Sequence, residues 1–111
     1  MTRRGQVWQL RHADESLAEL TVTHGDFPWL NATVHTTNAF RPWRAAFDDE
    51  LRLLDDIDDH VEQWEDAYRR IDQHLTLHYP TGERVPEYLL HIEGDTAWWR
   101  WSDEPFPPNP T

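Results

Sequence analysis

Cysteine and lysine are both absent from this chain of 111 residues. Without cysteine there is no disulfide and no thiolate metal site, which suits a cytoplasmic protein. Without lysine all ten basic residues are arginines, so Schiff-base chemistry and the lysine of a phosphate-binding loop are excluded. Glycine is scarce, with four residues and no glycine-rich loop. The only serines are Ser16 and Ser102, neither in a context that suggests a nucleophile. No apolar stretch approaches the roughly 20 residues of a membrane-spanning helix. The opening MTRRGQVWQL has arginines but no apolar run behind them, so no signal peptide and no membrane association are expected.

Positive charge is also in deficit. Ten basic residues stand against 21 acidic ones, a net charge of −11. Such a field repels phosphate backbones, so nucleic acid is not an expected partner, whereas basic proteins and cations are attracted. The mean hydropathy of −0.85 would by itself lean toward disorder. Seven Trp, four Phe and three Tyr oppose it, because each large aromatic buries about 150–250 Å². One folded domain over residues 1–105 is expected, followed by a proline-rich tail, PFPPNPT, over 106–111.

Apolar alternation locates strands. VWQLRHADESLAELTVTH reads as a hairpin with Asp14-Glu15-Ser16 as its loop, setting Leu10 opposite Leu20, Trp8 opposite Val22 and Arg11 opposite Glu19. In LNATVH, Leu30, Ala32 and Val34 alternate with Asn31, Thr33 and His35. Pro42 suits a helix first turn, and Trp43, Phe47, Leu51 and Leu54 follow at helical spacing. Ile57, Val61, Trp64, Tyr68, Ile71 and Leu75 mark a second helix, with a break near Asp55 or Asp56, either of which can cap. LTLHY alternates again, and Pro80-Thr81-Gly82 is a turn. EYLLHIEGDTAWWRW closes the pattern as a hairpin about a type II′ turn at Gly94-Asp95. There Leu90 opposes Trp99, Tyr88 opposes Trp101 and Ile92 opposes Ala97 on the inner face, with His91 opposite Trp98 and Leu89 opposite Arg100 on the outer one. The order is β-β-β-α-α-β-β-β: an α+β fold with an antiparallel sheet, two helices packed on one face and the other face wet.

Four features are candidates for function. Between Asp48 and Asp66 lie ten carboxylates opposed within the run by Arg52 alone. Of these, Asp48, Asp49, Asp55, Asp56, Asp58, Asp59, Glu62 and Asp66 form the candidate surface for a basic protein partner, the alternative being a solvated helix face. The spacing puts Asp55, Asp59 and Glu62 on one helix face and Asp58, Glu62 and Asp66 on another. DDIDDHVEQWED lacks the glycine and final glutamate of a calcium loop, so no metal site is assigned to it. His35, His78 and His91 fall on the wet face with Trp98 and Arg100. There a small ligand or a metal could sit, or the arginine stem could simply pack on the indole. Asp26, Phe27 and Trp29 of GDFPWL either cap the core or form an aromatic loop that grips a partner. Finally, Leu89 on the open face makes a homodimer contact there a further expectation.

GDFPWL and LLHIEGDTAWWRWSDEPF together resemble motifs of small acidic bacterial proteins of the actinomycete type. The resemblance spans roughly Val7 to Phe106 and implies no activity and no cofactor. The residues by themselves favour a non-enzymatic binding or accessory protein of the immunity or inhibitor kind, with a ligand-binding domain or a structural homodimer as the alternatives.

Overall fold

The computed structural model describes residues 4–26 and 29–103, and of Asp26 the backbone alone. Strands β1 (Val7–His12), β2 (Glu15–Asp26) and β3 (Trp29–Thr36) lead through a 3₁₀ turn (Asn38–Phe40) into helices α1 (Arg41–Asp55) and α2 (Ile57–His74). Strands β4 (Thr76–His78), β5 (Glu87–Glu93) and β6 (Thr96–Ser102) complete the chain. All six strands form one antiparallel sheet in the order β4-β1-β2-β3-β6-β5. The class is α+β, in the order the alternation predicts. Residues 106–111, the expected tail, lie outside the described residues.

The last hairpin follows its predicted register at every position: Tyr88 faces Trp101, Leu90 faces Trp99, His91 faces Trp98 and Ile92 faces Ala97. Gly94 has φ +59°, which the first central residue of the expected turn requires. Trp99 is fully buried with Trp8, Leu10, Leu20, Leu90 and Ile92, and the rings of Trp8 and Trp99 meet edge-on at 5.4 Å. Trp98, pointing the other way, is half-buried. Two adjacent indoles thus sit on opposite sides of one strand, as the period of two demands.

The first hairpin departs from expectation. Trp8 faces Leu20 and Leu10 faces Ala18, after which the register shifts so that Arg11 faces Ser16 and His12 faces Glu15. The loop is therefore Ala13-Asp14 and not Asp14-Glu15-Ser16, and Ala13 takes φ +54°. Leu17 is the extra residue of a bulge. It is fully buried, and its carbonyl accepts the Thr37 backbone N–H at 2.9 Å. From Val7 to Leu10 the slip is two residues, so these side chains keep their expected face; at Arg11 and His12, on the turn side of the bulge, it is three. The expected Arg11–Glu19 pair is replaced by a bond from Arg11 Nε to Gln9 at 3.0 Å. A second bulge at Thr23 interrupts the β2–β3 pairing between Val22 and His24. Bulges increase local twist, and two on one strand bend the sheet.

Pro42 stands in the first turn of α1, as expected. The two helices part at Asp56 (φ −125°, ψ 44°), but no aspartate side chain caps α2. The apolar stripe is uneven. Phe47 and Ile71 are fully buried, whereas Leu51, Leu54, Ile57 and Trp64 are half-buried and Val61 is 46 % exposed. Leu75 ends α2 and, with Leu77, enters the core beside β1. At the opposite sheet edge, the Tyr68 hydroxyl accepts the Leu90 N–H at 2.8 Å and donates to the Tyr88 carbonyl at 3.3 Å. One side chain of α2 thereby satisfies part of the outer backbone of β5, which would otherwise be an open edge. Burial pushes the Tyr68 and Tyr88 phenols well above their usual pKa, so both remain protonated donors.

Candidate functional site

Nine of the ten carboxylates between Asp48 and Asp66 are exposed: Asp48, Asp49, Asp55, Asp56, Asp58, Asp59, Glu62, Glu65 and Asp66. They cover the outer sides of α1 and α2 and the junction between them. Arg52 meets Asp49 at 3.0 Å and Arg69 meets Asp66 at 3.1 Å, both solvent-exposed pairs one turn apart. His60 lies 3.4 Å from Asp56. Such pairs stabilise by about 0–1 kcal/mol each and leave most of the negative field uncompensated. Asp55 closes α1 while Asp59 and Glu62 belong to α2, so the expected face of these three on one helix does not exist. A further departure from regularity comes at His60, whose φ −136° and ψ 31° kink α2. Asp58, Glu62 and Asp66 all belong to α2, but the kink at His60 falls between Asp58 and the other two, so only Glu62 and Asp66 keep regular helical spacing. Val61 lies among these acids with nearly half its surface in water, one of two large apolar residues so exposed among the described residues.

The tenth carboxylate is different. Glu50 is fully buried, and its two oxygens are both engaged. Oε1 meets His91 Nδ1 at 2.5 Å, and Oε2 accepts the Trp64 Nε1 proton at 2.6 Å. An indole N–H only donates, so Trp64 requires an acceptor oxygen. The remaining oxygen shares a hydrogen bond with His91 Nδ1. The His91 ring is 3 % exposed and lies 5.4 Å from the ring of Trp98 and 5.9 Å from that of Trp29. The wet-face assignment of His91 is therefore overturned. Helix α1 runs close enough beside the outermost strand to cover it, and Glu50 satisfies it from outside the sheet. This polar triad joins α1, α2 and β5 and orients an imidazole. Sequence reading passed over it, yet a signal existed: Glu50 falls on the stripe Trp43–Phe47–Glu50–Leu54, where an apolar residue is due.

The remaining histidines do not converge. His78, Gln9, Glu19 and His35 follow one another across β4, β1, β2 and β3. Three strand spacings put His78 and His35 about 14 Å apart. His91 belongs to another row, His24–Asn31–Trp98–His91. Among the described residues no three metal-ligating side chains cluster. The expected ligand face of His35, His78, His91, Trp98 and Arg100 is thus divided over both edges and the middle of the sheet. Arg100 is exposed opposite Leu89, and the ring neighbour of Trp98 is His91.

The aromatic loop is likewise revised. Gly25 pairs with Leu30 and Asp26 with Trp29, so both Asp26 and Trp29 are strand residues and Trp29 is half-buried toward His91. Phe27 lies outside the described residues. A groove on another side is lined by His12, Glu15, Asn38, Ala39, Pro42 and Trp43. The Trp43 ring there stands 5.3 Å from that of His12 and 5.9 Å from that of His74.

No helix is long and apolar enough to cross a membrane among the described residues. Set beside protein-family models, curated proteins and solved structures, the chain matches none of them.

Proposed function

We propose that this chain is a non-enzymatic binding protein whose acidic helical pair engages a basic protein partner, in the manner of an immunity or inhibitor protein. One observation carries the reading: α2 holds an exposed apolar residue, Val61, with the exposed acids Asp58, Glu62 and Glu65 within one helical turn of it, and of the nine exposed carboxylates of α1, α2 and their junction only Asp49 and Asp66 pair with arginine among the described residues. Negative charge beside an apolar anchor suits a partner surface with Arg or Lys next to a hydrophobic patch. The charges steer association and the anchor supplies contact area. The cytoplasm is the compartment proposed, since the chain has no cysteine to be oxidised. The likeness to small acidic actinomycete-type proteins adds no activity to this reading.

The test is a purified partner captured from the native host, its association rate measured across a salt series. Replacing Asp55, Asp58, Asp59 and Glu62 by Asn or Gln is expected to slow association by about tenfold or more at low salt and to flatten the salt dependence. A partner bound equally fast by this variant, or indifferent to salt, would remove the proposal. A second reading, a homodimer through the open sheet face, draws on the half-buried Leu89, Trp98 and Trp29 there. Light scattering that finds a monomer at high concentration eliminates it.

A further inference from the structure

At the other end of α1 the charge is reversed. A cavity of about 260 Å³ opens where β3 ends and α1 begins, lined by Thr36, Thr37, Asn38, Phe40, Arg41 and Arg44. Among the described residues no acidic side chain lines it. Arg41 and Arg44 are three residues apart on α1 and so project from the same helix face. Arg44 is held in place: its guanidinium carbon lies 4.8 Å from the centre of the Phe40 ring, and Nη1 donates to the Gly94 carbonyl at 2.7 Å. That bond engages one of its five N–H donors. Ion pairs of arginine with carboxylate are formed elsewhere by Arg52 and Arg69; among the described residues Arg41 and Arg44 form none. Asp48 stands four residues beyond Arg44, the usual spacing of a helical ion pair, yet Arg44 is bonded to Gly94 instead.

We propose that this cavity is an oxyanion site that takes the phosphate group of a small phosphomonoester. A guanidinium presents paired N–H groups that match phosphate geometry, and two of them balance a phosphate dianion. Thr36 and Asn38 add neutral polar groups at the rim. Stacking on Phe40 and the bond to Gly94 immobilise one guanidinium before the ligand arrives, so less conformational freedom is lost on binding. The acids at the junction of the two helices lie far from the site: Asp55 is about 21 Å along the helix from Arg41, beyond the roughly 8 Å screening length of physiological salt. Asp48, the acid of the docking surface nearest to it along α1, follows Arg44 by one turn, about 6 Å along the helix. Binding at the two places is tested separately, and either can fail without the other.

The test is titration of the full chain with inorganic phosphate, followed by amide chemical shifts and read beside a parallel acetate titration. Saturable shifts confined to Thr36–Arg44 and Gly94 are expected, with acetate at least tenfold weaker. Arg41→Gln, an exposed position whose loss should not disturb folding, is expected to weaken phosphate at least tenfold. Arg44→Gln should do the same, and its thermal unfolding separates lost binding from lost structure. Arg52→Gln, paired with Asp49, should bind as the native chain does. Non-saturating shifts, an unchanged affinity in Arg41→Gln, or acetate binding as tightly as phosphate would each overturn the assignment.

Discussion

Glu50 of α1 and His91 of β5, forty-one residues apart in sequence, meet at 2.5 Å with both side chains sealed from water. Their contact ties the helical pair to the outermost strand, and Trp64 completes it from α2.

Breaking this contact from one side leaves a buried polar group alone. Glu50→Ala should destabilise the fold by about 3–5 kcal/mol, because His91 Nδ1 and the Trp64 N–H both lose their buried partner. Replacing both partners, as Glu50→Leu with His91→Leu, should cost less than the sum of the two single changes. Urea unfolding of the four proteins measures the coupling, and strict additivity would show that the pair does not act as a unit.

The two neighbouring indoles of β6 should respond unequally. Trp99→Ala empties the centre of the core and is expected to cost about 3–5 kcal/mol. Trp98→Ala, half-buried on the other side, should cost less. The Trp99 Nε1 proton is buried and has no hydrogen-bond partner among the described residues, so Trp99→Phe removes an unmet donor while keeping most of the ring, and should be milder than Trp99→Ala. Thermal melts of the three variants rank them; equal losses for Trp98 and Trp99 would contradict their burial.

Alkaline pH should loosen the sheet edge. Burial raises the folded-state pKa of Tyr68 and Tyr88, while an unfolded tyrosine ionises near about 10. Below that pH neither state is ionised and the phenol bonds are intact. Above it the unfolded chain loses the protons first, so stability falls as pH rises. Tyr68→Phe should flatten this fall and also cost about 1–3 kcal/mol at neutral pH, since Leu90 N–H and Tyr88 C=O lose their partner. Tyrosinate absorbance against pH, beside the unfolding free energy, is the measurement. A native chain whose stability is level through this range would refute the account.

Ala13 is a non-glycine residue at φ +54° in the first hairpin turn. An L-residue is strained there by about 1–2 kcal/mol, and glycine is not. Ala13→Gly should therefore leave stability unchanged or raise it by up to about 1 kcal/mol, the gain being offset in part by a freer unfolded chain. A clear loss of stability on chemical denaturation would mean that the turn does not hold Ala13 in this conformation.

How far the sequence could be read is visible in the two hairpins. In β5–β6 every pairing lies within one short segment, with a two-residue turn of known chemistry and no bulge, so alternation alone assigns both faces and the register. In β1–β2 alternation assigns the faces of Trp8, Leu10, Leu20 and Val22 correctly and misses their register by two, because the turn shifts the pairing by three and the one-residue bulge at Leu17 takes one back, which restores inside and outside. Period-two patterning reports which side of a sheet a residue occupies and does not count residues along it.

What the amino-acid order determined was local: strands, helices, their succession, and the inward direction of Trp99. Tertiary structure alone decided that β4 and β5 occupy opposite edges, which keeps His35, His78 and His91 apart. It also decided that Glu50, one carboxylate among ten, is buried. The physical reason is that burying a polar carboxyl group depends on partners that other elements bring to it. Here one such element is an edge strand far along the chain, and only the packing of α1 beside β5 determines that the two meet.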